Sequence, residues 1–126
     1  LLTADDVVAI YADTLGYSEV GARDLLRSAG GLEGAIGRLQ AHIDYRDADL
    51  ATLAAVLLHG LAEGQHFIDG NKRVAAAAML GFLALNGCAL ATADGVLADW
   101  VLRLSSGLAV AELADEIRPA LTSLEE

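Results

Sequence analysis

One cysteine, Cys88, cannot close an internal disulfide, and no Cys/His pairing has the spacing of a zinc site. Covalent and metal staples are therefore excluded as the basis of the fold, and a reducing cytoplasm is the expected setting. Basic residues are scarce as well: eight face eighteen acidic ones, for a net charge of −10. Such a chain repels a phosphate backbone, which argues against a general nucleic-acid binder. Long apolar runs are also missing. The best candidate, Val74 to Leu85, is twelve residues long before Asn86-Gly87 breaks it, the length of a buried core helix and too short to span a membrane. No basic segment precedes an apolar one at the start, so no signal peptide is expected.

What is present is alanine and leucine, the bulk of a 55% hydrophobic composition and good helix formers. An all-α fold follows, and 126 residues suit one domain over 1–126. Thr3 with Asp6 has capping-box spacing, and Val7, Ile10, Tyr11 and Leu15 recur at helical intervals, which predicts a helix over about 3–15 ending at Gly16. Ser18 can cap a second helix through Arg27. Gly30-Gly31 would separate it from a third, with Leu32, Ile36, Leu39 and Ile43 on one face. Asp47 and Asp49 lead into Leu50 to Leu58, which is apolar on nearly every side and so belongs at the centre of a bundle.

A loop from Glu63 to Gly70 joins this helix to a second apolar one, Asn71 to about Leu85. After Asn86-Gly87, Cys88 to Ala91 suits a short extended stretch. Asp94 opens an amphipathic run through Trp100 and Leu104. A last stripe, Val110, Leu113, Ala114, Ile117 and Leu121, is one that Pro119 would kink or end early. The expectation is a compact bundle of about six or seven helices with two buried central helices flanking one polar loop.

That loop holds the chemistry. Lys72-Arg73 is the one adjacent basic pair in an acidic chain, and it opens a helix whose unpaired N–H groups favour an anion. Gly70 permits close approach of a ligand, and Asn71, Lys72 and Arg73 add donors. Asp69 is a hard oxygen ligand placed where a magnesium ion could bridge carboxylate and phosphate oxygens. Asp-Gly-Asn is equally an ordinary turn signal and Lys-Arg equally a solvated pair. The basic pair nevertheless opposes the helix dipole at a cost of a few tenths of a kcal/mol, which tilts the balance towards function.

The run Gln65-His66-Phe67-Ile68-Asp69-Gly70-Asn71-Lys72-Arg73 resembles the signature of the Doc (death-on-curing) branch of the Fic/Doc family, His-x-Phe-x-(Asp/Asn)-(Gly/Ala)-Asn-Lys-Arg, at six of its seven specified positions. Leu57 to Ala62 looks like the family's preceding helix. Leu32 to Gln40 resembles its Leu-Glu-x-Ala-x-x-Arg-x-Gln segment. The resemblance implies a Fic/Doc-type helical bundle in which Phe67 anchors the loop and Asp69 binds magnesium or positions substrate, while Gly70 and Asn71 contact ATP phosphates. Lys72 stands where the nucleotidylyl-transferring Fic branch has its second glycine, and Ala76 where that branch has a later arginine. Both features resemble Doc toxins, which implies transfer of the γ-phosphate to a threonine of a translation elongation factor. It also implies an antitoxin segment lying over the groove; the self-inhibitory Ser/Thr-x-x-x-Glu-(Gly/Asn) pattern fails at Glu33-Gly34, which Ala29 precedes.

The departure is at the catalytic histidine, whose place is taken by Gln65, with His66 following. An amide cannot accept a proton at neutral pH, and loss of a general base lowers a rate by about 10²- to 10⁴-fold. Positioning alone leaves part of phosphoryl transfer intact. His66 is the candidate for a substitute base within the motif, against which an anchored Phe67 would aim its neighbour elsewhere. The alternatives are a catalytically lapsed or repurposed member that binds a nucleotide or small ligand, or does different chemistry with Gln65 orienting a carbonyl or phosphate. A helical interaction module is a third. Elsewhere, His59 reads as a buried core histidine, His42 as surface, Tyr11 and Trp100 as packing, and Arg38 as either a nucleotide contact or a salt bridge.

Overall fold

The computed structural model describes residues 2–45 and 48–124, so Asp47 lies outside the described residues. Helix α1, Ala4–Leu15, starts at the capping box: the Asp6 N–H donates to Thr3 Oγ1 at 3.1 Å and the Thr3 N–H to Asp6 Oδ2 at 2.8 Å. It ends where Gly16 turns left-handed. Ser18 caps α2, Glu19–Asp24, as expected, but this helix stops three residues before Arg27. The reason is tertiary: Leu25 and Arg27 give their backbone groups to the loop ahead of α5, through Ile68 N–H to Leu25 O at 2.9 Å and Arg27 N–H to His66 O at 2.6 Å.

The glycine pair does not separate two helices. Ser28 Oγ accepts from the Gly31 N–H at 3.0 Å, and α3 runs Ala29–Tyr45 with both glycines in its first turn. Asp49 caps α4, Leu50–Glu63, through the Thr52 N–H at 3.0 Å. Helix α5 covers Asn71–Leu85, and the short strand β1, Cys88–Leu90, follows. Helix α6, Val96–Ser105, begins after Gly95 in a left-handed conformation, so Asp94 sits in the preceding turn. The last helix, α7, covers Val110–Ile117. Pro119 lies in a single 3₁₀ turn, Arg118–Ala120. Leu121 leaves the helical stripe to start β2, Leu121–Ser123, which pairs antiparallel with β1.

Seven α-helices and one two-stranded ribbon thus account for the regular structure among the described residues. Helix α4 is the hub, packed against α3, α5, α6 and α7, while α1 covers α5 from the other side. Ala51, Ala54, Ala55, Leu57, Leu58, Leu61 and Ala62 of α4 are buried, and each of its larger side chains contributes about 1.5–3 kcal/mol on leaving water. His59 is not among them. It sits on the narrow stripe of α4 that no neighbour covers and is exposed. Helix α5 buries Val74, Ala75, Ala78, Met79, Phe82 and Leu83 but turns Lys72, Arg73 and Leu80 to solvent. Among the described residues no helix is long and apolar enough to cross a membrane.

Candidate functional site

The loop between α4 and α5 is built to a fixed shape by Tyr11, far from it in sequence, and by Asn71 at its own end. Phe67 is its anchor: the ring is 1% exposed and stacks on Tyr11 of α1 with centroids 3.8 Å apart and planes 4° from parallel. Its backbone is bound twice by Asn71, whose Oδ1 accepts from the Phe67 N–H and whose Nδ2 donates to the Phe67 carbonyl, both at 2.9 Å. Both polar ends of that amide are therefore spent on the loop itself. What Asn71 has to offer an anion is its backbone N–H.

Gly70 is the last residue before α5 and adopts φ +71°. A Cβ there would collide with the Leu15 methyl Cδ1, so the close approach that this glycine permits is that of α1. No side chain caps α5, and its first backbone N–H groups point outward from Asn71, Lys72 and Arg73. Lys72 and Arg73 are exposed and have no acidic partner among the described residues, whereas Arg23, Arg103 and Arg118 are all ion-paired elsewhere. An uncapped helix start with two unpaired cations concentrates positive charge at this point of an acidic chain.

Gln65 stands at the edge of this feature with φ +52°, the one non-glycine residue with a positive φ among those described. A glutamine held there stores about 1 kcal/mol or more of strain. It is exposed, and with Ala62, Gly70, Asn71, Lys72 and Arg73 it lines a hollow of about 320 Å³. His66 points the other way. Its ring is 4% exposed, with Nε2 2.8 Å from the Gly60 carbonyl. Since that carbonyl can only accept, Nε2 carries the hydrogen. The ring fills the space that a Cβ on Gly64 would need. Of the two residues at the catalytic-histidine position and beside it, the structure thus brings Gln65 to the cations and turns His66, the candidate substitute base, into the core.

Asp69 lies on the opposite flank, where Leu15, Tyr17, Asp69, Gly70 and Arg73 line a hollow of about 220 Å³. Its Oδ1 and its carbonyl each accept from the Tyr11 hydroxyl at 3.1 Å. Burial, and then this carboxylate, push the Tyr11 phenol up to about 12. Among the described residues no three carboxylate, histidine or cysteine side chains converge on one point. Asp69 alone fits magnesium only in the way that metal is held beside nucleotides, with phosphate and water oxygens completing the shell. A third hollow, of about 480 Å³, runs from Lys72 and Arg73 along Ala76 to Leu97, Ala98, Val101 and Leu102 of α6, and its walls are mostly apolar.

Sequence reasoning placed Tyr11 on a packing stripe and gave it no part in the site. The hydroxyl bond spans fifty-eight positions, and no local signal announces it. Arg38 has no ion-pair partner among the described residues and does not line any of the three hollows around the loop. His42 is half-buried and donates from Nδ1 to the Arg38 carbonyl at 2.9 Å.

A model of the Fic/DOC family matches residues 1–83, from the start of the chain into α5, and so includes the whole loop. The chain is also 41% identical over 80 residues to a protein of Mycolicibacterium smegmatis (strain ATCC 700084 / mc(2)155) named Toxin Doc, covering 62% of each. It therefore spans about 62% of the length of that curated relative.

Proposed function

As the chain belongs to the Fic/Doc family, we propose that it is a Doc-like toxin that binds ATP phosphates at the start of α5 and transfers the γ-phosphoryl group to a hydroxyl of a translation factor. The observation that carries this reading is the uncapped N-terminus of α5 with unpaired Lys72 and Arg73, beside a carboxylate fixed in place at Asp69. That combination suits a polyphosphate. Lys72 at the position where nucleotidylyl-transferring relatives have glycine favours γ-phosphoryl over AMP transfer.

In this reading the acceptor oxygen forms a bond to the γ-phosphorus, the bond to the β–γ bridging oxygen breaks, and ADP leaves with that electron pair. Magnesium, held by Asp69, would neutralise charge on the phosphates. Lys72 and Arg73 stabilise the leaving diphosphate. Gln65 orients the acceptor hydroxyl through its amide, and the proton passes to water. Phosphoryl transfer passes through a loose transition state and depends more on such positioning than on a base. The apolar hollow against α6, about 480 Å³ in volume, is where the nucleoside would lie. An antitoxin segment covering the same groove would silence the toxin.

A second reading is favoured by one observation, the inward turn of His66: with no imidazole at the cations, the site binds nucleotide without turnover. Label transfer from γ-labelled and α-labelled ATP with magnesium into a bacterial lysate separates the two. The kinase reading expects γ-label on a protein, a gain of about 10²- to 10⁴-fold in Gln65→His, and loss in Lys72→Ala. Label appearing only in Gln65→His establishes the binding reading, and silence in both sinks transfer chemistry altogether.

A further inference from the structure

Tyr11 is buried to 0% exposure inside α1, yet its hydroxyl reaches out of the core to the rim of the candidate site. One phenolic hydrogen is shared between Oδ1 and the main-chain oxygen of the same residue, Asp69, at 3.1 Å each. The ring that carries it is held by two aromatic neighbours, Phe67 with centroids 3.8 Å apart and Tyr17 at 6.0 Å. Asp69 is otherwise an exposed residue in a bend, and the hydroxyl is its one side-chain partner among the described residues. A carboxylate in that position would rotate freely without it. Aromatic stacking needs only the ring, so packing does not account for the hydroxyl.

We propose that Tyr11 is a positioning residue for Asp69: it occupies Oδ1, fixes the carboxylate plane, and leaves Oδ2 as the single oxygen presented to a phosphate-bound divalent cation. The role given to Oδ2 rests on the ATP-binding reading above, whereas the fixing of the loop by Tyr11 does not. The carboxylate is thus a one-oxygen ligand, which suits magnesium, with its preference for single carboxylate oxygens and retained water.

The test is Tyr11→Phe, which keeps the stacked ring and removes only the hydroxyl. Titration with a β,γ-imido analogue of ATP is done with Mn²⁺ and again with the metal chelated. The expected result is a five- to tenfold loss of affinity with metal, about the worth of one net hydrogen bond, and no loss without it. In an Asp69→Asn background the same substitution should cause no metal-dependent loss. Equal losses with and without metal, or a metal-dependent loss that persists beside Asp69→Asn, would overturn the proposal, because a merely structural tyrosine acts alike with and without the metal. If the original chain binds no analogue under either condition, the nucleotide reading fails by itself. Amide exchange in the free protein then decides the matter: exchange at Asp69 to Asn71 rising in Tyr11→Phe, with α4 unchanged, supports the positioning role, and unchanged loop exchange overturns it.

Discussion

Replacing Gly70 by alanine strikes the loop at the point where local conformation and tertiary packing coincide. At φ +71° an L-residue is disfavoured by about 1–2 kcal/mol. The added Cβ also enters the Leu15 methyl, an overpacking that adds about 1–3 kcal/mol. Together these predict about 2–5 kcal/mol, which for a chain of 126 residues lowers the melting temperature by roughly 10 °C or more. A double-mutant cycle in urea separates the two contributions. Leu15→Ala relieves only the collision, so Gly70→Ala should cost about 1–3 kcal/mol less beside Leu15→Ala than alone, the remainder being the backbone. Gly70 O accepts from the Val74 N–H at 3.0 Å and so starts α5, and displacing it should weaken phosphate or nucleotide binding as well. The reasoning is refuted if Gly70→Ala melts within about 2 °C of the original chain, or if the two substitutions are additive.

Asn71→Ala strips the Phe67 N–H and carbonyl of their partners and should destabilise by about 1–3 kcal/mol, while Asn71→Asp, which keeps the acceptor for the N–H, should lose less; urea midpoints distinguish them, and equal losses would contradict the two-bond clamp. Gln65→Gly should release the left-handed strain and hold or raise the melting temperature, read by calorimetry. Acid should weaken the fold through Asp49, whose carboxyl Arg118 and then Thr52 hold well below the usual range, and through Glu116, lowered mainly by Arg103. Because both folded values are depressed, their stabilisation is present above the unfolded carboxylate range near pH 4 and is lost as pH falls through the lower folded values. Asp49→Asn should flatten that acid loss, and salt should shrink it, since the Asp49–Arg118 pair is about half exposed.

Local chemistry was legible from the residues: the capping box at Thr3, the caps Ser18 and Asp49, the apolar run of α4, and the loop flanked by two core helices. Each depends on neighbours within a few positions. The misreadings lie where distant backbone intervened. Leu25 to Arg27 leave α2 because His66 and Ile68 offer them hydrogen bonds, and Leu121 leaves the helical stripe because β1 offers an edge. His59 is exposed because the helices around α4 leave one stripe uncovered, which periodicity on a helix apolar all round cannot reveal.

The same division holds at the site. The sequence by itself determined the family, the anion-favouring helix start and the absence of a histidine at position 65, because these are properties of residue type and order. Only the tertiary structure decided how they are used. Asn71 binds the loop's own backbone, His66 turns inward to the end of α4, and a tyrosine fifty-eight positions away holds the Asp69 carboxylate. The tyrosine's bonds depend on where α1 lies against α5 and the loop, and that placement is settled by packing of the whole core rather than by any local pattern.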